Sequence, residues 1–88
     1  MSDFIEPKWI SVKDRLPDKD GKYLIAYKII NDYLISVANF AFNLKKVDKY
    51  DFEEEKLGFY KYDGEYGHYE VDATYWMPLP DPSKEDNL

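Results

Sequence analysis

Cysteine is absent from the 88 residues, and histidine occurs once, at His68. The first absence excludes a disulfide, a thiolate zinc site and a cysteine nucleophile, so stability has to come from packing. The second leaves His68 with carboxylates as its only co-ligands for a transition metal. Beside Gly67, in a turn-rich stretch, His68 reads as an exposed loop residue, and neither a metal site nor a cofactor is expected. No run approaches the roughly 20 apolar residues of a membrane span. The start, MSDFIEPKW, has no apolar run behind a basic segment. The expectation is a soluble, intracellular chain without a signal peptide and without a membrane partner.

Glycine is sparse, with four residues scattered at 21, 58, 64 and 67, and neither phosphate-loop pattern occurs. The serines stand at 2, 11, 36 and 83. Only Ser36 and Thr74 fall on expected strands, and neither sits in a nucleophile elbow. DKDG at 18–21 has the look of a calcium loop, but aligning its glycine puts Leu16 at the first ligand position and Tyr27 at the last, so it reads as a turn. No residue is a candidate catalyst, and the expectation is a protein that is not an enzyme.

What the chain does have is aromatic mass and acid. Tyrosine occurs nine times, residues are 44% hydrophobic and 18% aromatic, and 18 acidic against 12 basic side chains leave a formal charge of -6. Such a composition folds rather than staying disordered. The size allows one core, expected over 1–82, with 83–88 as a mobile polar tail. The charge repels phosphate backbones, which disfavours direct nucleic-acid binding.

KYLIAYKII, residues 22–30, is apolar on both faces and rich in β-branched and aromatic residues, the pattern of a central strand. ND at 31–32 supplies a turn, and YLISVANFAF completes an antiparallel hairpin. Asp63 and Gly64 between aromatic runs predict a second hairpin, and a last strand is expected from about Tyr69 to Trp76. Ser11 followed by Asp14 has the spacing of a capped helical turn, closed at Pro17, with Trp9 and Leu16 facing inward as anchors. Residues 43–57 turn abruptly to charge. Leu44, Val47 and Tyr50 permit one short helix there, and an irregular excursion fits equally. The predicted fold is mainly β, with α+β open: one small domain, an antiparallel sheet of about four strands and an N-terminal helical turn.

Two groups of residues are candidates for a binding surface. Tyr60, Tyr62, Tyr66, Tyr69 and Tyr75 crowd the C-terminal part, and cross-strand pairing competes with a recognition surface as their explanation. Glu53, Glu54 and Glu55 form an acidic run that reads first as a solvated face and second as a surface for a basic partner. At the chain's end, TYWMPLPDP places a tryptophan before three prolines that cannot continue a sheet. It reads as a clasp in which Trp76, with Met77 and Leu79, is held on the core while Pro78, Pro80 and Pro82 end the pairing. Trp9 and Trp76 are expected on the same core.

WISVKDRLPDKDGKYLIAY and ATYWMPLPDP together resemble the domain-of-unknown-function 551 family, whose members open with a tryptophan, an isoleucine-serine-valine step and a leucine-proline, and close on a tryptophan-methionine-proline-leucine-proline run. The resemblance covers 9–27 and 73–82 and is weak over 43–58. One departure is Tyr75, where the family often has histidine. The resemblance implies context alone, an accessory gene of phage or prophage in the cytoplasm of a bacterial host, and carries no activity to transfer. The leading expectation is a non-enzymatic protein that binds a host or phage protein through its acidic or tyrosine-rich surface, with counter-defence as one role by genomic analogy. Two alternatives stand beside it: a binder or sponge for a nucleotide-like or other planar small ligand, and a structural or virion-associated protein. A homo-oligomer also remains open.

Overall fold

Alternation along residues 21–41 produces the two longest strands, β2 (Gly21–Ile29) and β3 (Asp32–Ala41), paired antiparallel as expected. A computed structural model describes residues 8–80; the tail expected at 83–88 lies outside the described residues. The β2–β3 turn comes one residue earlier than ND: Ile29 faces Asp32, so Ile30 and Asn31 make the loop. Ile30 takes φ 49°, a left-handed backbone that a β-branched residue rarely adopts, and its side chain is 90% exposed.

The described sheet has six strands rather than about four, in the order β1-β6-β2-β3-β4-β5, with every neighbouring pair antiparallel. Here β1 is Ile10–Ser11, β4 Gly58–Asp63, β5 Gly67–Val71 and β6 Tyr75–Pro78. Two residues make β1 too short to show in a periodicity. The run from Tyr69 to Trp76 is not one strand. It breaks at 72–74, where the Thr74 amide donates to the Ala26 carbonyl at 2.8 Å and its carbonyl accepts from Val12 at 3.1 Å. Those bonds hand the chain from β5 at one edge to β6, which inserts between β1 and β2.

The second hairpin forms with a different chemistry. Asp63 faces Gly67, so 64–66 is a three-residue loop. Asp63 Oδ1 accepts from the amides of Glu65 and Tyr66, at 2.7 and 3.2 Å, and Gly67 supplies the left-handed backbone, φ 88°.

Only residues 72–74 link β5 to β6, although four inter-strand spacings separate these strands in the sheet. Crossing a flat sheet would take about 19 Å at about 4.8 Å per spacing. Four residue steps of extended chain reach about 14 Å. The sheet therefore curls over the face that carries Trp76, which is concave, and the opposite face is convex.

Tyr23, Ile25, Ala38, Phe40, Phe59 and Trp76 form the concave core, with Ile10, Val12, Leu16, Val71 and Ala73 packed against it. The segment before β2 closes this core as one hydrogen-bonded turn: Asp14 and Arg15 donate to the Ser11 carbonyl, and Ser11 Oγ accepts from the Lys13 amide. Polar tips of core aromatics then pin it. The Trp76 indole donates to the Arg15 carbonyl at 2.9 Å, and the Tyr23 hydroxyl donates to the Lys19 carbonyl at 2.8 Å. Tyr23 and Trp76 meet edge to face, with centroids 5.3 Å apart.

Residues 42–57 cross to the convex face. A single helical turn, α1 (Leu44–Val47), is capped by Asn43, whose side chain accepts from the Lys45 amide. Leu44 and Phe52 bury themselves with Ala41, against Val47 and Tyr60. Tyr50, the third member of the expected stripe, is exposed because Asp48 starts a second turn that brings Phe52 inward instead. The Leu44 amide donates to the Lys56 carbonyl at 2.8 Å, which draws the ends of the excursion together.

Candidate functional site

Among the described residues the convex face is covered at one end. The excursion lies over β3, β4 and β5, while among the described residues nothing is layered on the part formed by β1, β6, β2 and the start of β3. Register determines which side chains point there: Tyr75 faces Ala26, Ala26 faces Ile35, Leu24 faces Met77 and Val37, and Lys28 faces Tyr33. Trp9, one residue before β1, joins them. Trp9, Tyr33, Ile35 and Tyr75 wall a groove of about 290 Å³ with Ala26 as its floor. Tyr33 and Tyr75 stand 6.0 Å apart, tilted by 56°. Ile35, on the groove's rim, is 63% exposed.

This placement corrects the expectation that the two tryptophans share a core. Ile10 is the residue that faces Trp76 across β1 and β6, so the preceding Trp9 points to the other side of the sheet. Trp76 is 3% exposed and Trp9 36%. Leu16 packs on the concave core as an anchor, and Pro78 ends β6, exposed and opposite Tyr23.

The candidate tyrosines do not make one surface. Tyr75 belongs to the groove. Tyr60 is half-buried against Phe52, and burial, with a contribution from Asp20, pushes its hydroxyl up. Tyr62 is exposed and faces His68 across β4 and β5; Tyr66 is exposed in the hairpin loop; Tyr69 lies on the opposite face, across from Lys61. Glu53, Glu54 and Glu55 are exposed on the excursion. The first two line a cavity of about 390 Å³ with Asp51, Lys56 and Glu70 over Leu44 and Phe52. Lys56 and Glu70 pair at 2.9 Å across it.

His68 is not a loop residue. It lies on β5, half-buried, its ring 4.7 Å from that of Tyr62, 5.8 Å from Tyr60 and 6.2 Å from Phe52. Its Nδ1 is 3.0 Å from Asp51 Oδ2 and 3.4 Å from Asp48 Oδ2. The His68 amide also donates to Asp51 Oδ2 at 2.8 Å. That amide bond first, and the ring second, hold the Asp51 carboxyl below its ordinary range.

Tyr33, Ile35, Asp48 and Asp51 therefore join the candidate residues, unforeseen from the sequence. The apolar character of both faces of β2 and β3 was the available signal for the first pair, because a strand packed on one side alone alternates with polar residues. The two aspartates had none, since they meet His68 only through the fold. Among the described residues no helix is long and apolar enough to cross a membrane.

No curated protein and no solved structure matches the chain. A family model described as protein of unknown function, DUF551, matches residues 8–84, which takes in both tryptophan motifs, the whole described sheet and the excursion. By that match the chain belongs to the DUF551 family.

Proposed function

We propose that the protein works by binding another protein through the bare half of its convex face. The observation that carries this reading is the groove of Trp9, Tyr33, Ile35 and Tyr75, an apolar surface left open among the described residues of a chain with a formal charge of -6. Rigid aromatic side chains around a pocket are the residue types that anchor protein interfaces. The partner suited to it presents an apolar side chain within a basic surface, since the net charge favours cation-rich partners and opposes a second copy of the chain. The setting we propose with it is that of a non-enzymatic accessory protein of phage or prophage, in the bacterial cytoplasm, engaging a host or phage protein, with counter-defence as one role.

Affinity capture from host lysate with wild type and Ile35→Asp side by side tests this reading. Loss of a retained basic protein in the variant, with the thermal melt preserved, is the expected result. Equal retention by both chains, or a dimer in sedimentation that Ile35→Asp dissolves, contradicts it. A second reading rests on the groove's volume and its tilted tyrosine pair, which also suit a planar small molecule. Saturable thermal stabilisation by one compound class, abolished by Tyr75→Ala, would favour that reading over a protein partner.

A further inference from the structure

We propose that Asp48, Asp51 and His68 form a binding site for one divalent first-row transition ion, with Zn²⁺ as the probe of choice. One ligand atom from each of the three residues falls within 4.8 Å of the others. Bonds of about 2.0–2.2 Å from such an ion to nitrogen and oxygen place neighbouring donors about 3.0–3.4 Å apart at right-angled to tetrahedral geometry. The separations of His68 Nδ1 from Asp51 Oδ2 and Asp48 Oδ2, 3.0 and 3.4 Å, fall in that interval.

The donors come from two separate parts of the chain, the turn after α1 and strand β5. Each is held by contacts other than those among the three ligand atoms, and for Asp51 that contact is the His68 amide, which donates to Oδ2 at 2.8 Å. Asp48 Oδ1 accepts from the amides of Tyr50 and Asp51, at 2.8 and 3.1 Å, which turns Oδ2 toward the imidazole. The rings of Tyr62, Tyr60 and Phe52 surround the His68 ring and set its plane. Gly67 leaves the space beside Asp51 open: a Cβ there would stand 2.8 Å from Oδ2. Orientation of ligands by a surrounding set of contacts is what distinguishes a metal site from a solvated group of charges.

The imidazole decides the class of ion. Magnesium and calcium take oxygen donors, whereas one imidazole with two carboxylates suits Zn²⁺, Co²⁺ or Mn²⁺. Three protein donors leave positions for water. Binding would fasten the excursion to β5, at the end of the sheet away from the groove, and so does not depend on the binding function proposed above.

The test is calorimetric titration of the chelator-treated full chain with Zn²⁺, with Mg²⁺ and Ca²⁺ as controls. One equivalent of Zn²⁺ is expected to bind and raise Tm, and the controls to leave Tm unchanged. His68→Gln and Asp48→Asn should each weaken binding at least about tenfold, while Glu53→Gln, on the same excursion, should not. With Co²⁺, wild type should develop visible d–d absorption that His68→Gln lacks, a readout that does not rest on stability. No saturable Zn²⁺ binding at millimolar concentration, or equal affinity in wild type and His68→Gln, overturns the proposal.

Discussion

The two ends of the sheet are each closed by a short segment that could not fold alone, yet on opposite faces and by different means. At the concave end, the turn before β2 lies over the larger core and is pinned by the polar tips of Trp76 and Tyr23. At the other end, one helical turn crosses to the convex face, buries Leu44 and Phe52, and is tied down by the Asp48, Asp51 and His68 contacts. A small sheet can thus be given two partial cores, with part of its convex side left uncovered among the described residues. Aromatic tips make the first closure part of the global fold, while polar contacts make the second a local one.

Trp76→Ala should break the comparison most severely, since it removes the ring that joins β6, β2 and the turn. A loss of about 3–5 kcal/mol in chemical denaturation is expected. Trp9→Ala, on the bare face, should cost about 0.5 kcal/mol. Equal losses at the two positions would mean that both tryptophans serve one core. Leu44→Ala should destabilise by about 2–5 kcal/mol, and hydrogen exchange should show faster opening in 43–57 than in β2. Uniform acceleration across the sheet would make the excursion part of one cooperative core.

Gly67→Ala sharpens the view of the second closure. It forces a left-handed backbone on a Cβ and pushes that atom against Asp51. A cost of about 1–3 kcal/mol is expected, with increased exchange confined to the excursion and the β4–β5 hairpin. At the first closure, burial, followed by Asp18 and Asp20, pushes the Tyr23 hydroxyl above its ordinary value. A raised folded value means that this stability is fully present below the unfolded value, about pH 10, and is lost as pH rises through the folded one. Tyr23→Phe should lose about 1 kcal/mol at neutral pH, from the bond to Lys19, and decline less steeply in alkaline melts. An unchanged alkaline slope would show that the hydroxyl is not the group that titrates.

Much of this architecture was legible in the residues. Alternation over β2 and β3, the turn chemistry at Asp63 and the proline-rich end indicate both hairpins and the core position of Trp76; Met77, expected beside it, faces Leu24 on the convex side, and Leu79 is exposed. The side of the sheet that Trp9 takes is a register fact, decided by Ile10 facing Trp76, and two residues are too few to display a period. Tyr69 to Trp76 looked continuous because the break at 72–74 is made by backbone bonds to Ala26 and Val12, far away in sequence. Of the candidate surface, Tyr75 was named, but its partners Trp9, Tyr33 and Ile35 required the strand order. His68 and Asp51 are 17 residues apart, and no local pattern announces that they touch.

One indole, Trp76, seals the core, while the other, Trp9, stands on a face left open among the described residues. Single-tryptophan fluorescence tests it most directly. Trp9→Phe, which leaves Trp76, should emit at short wavelength and resist quenching by iodide, and Trp76→Phe, which leaves Trp9, should emit at longer wavelength and quench readily. Equal protection of the two indoles in folded protein would contradict the claim, because Trp9 would then be covered and the groove closed.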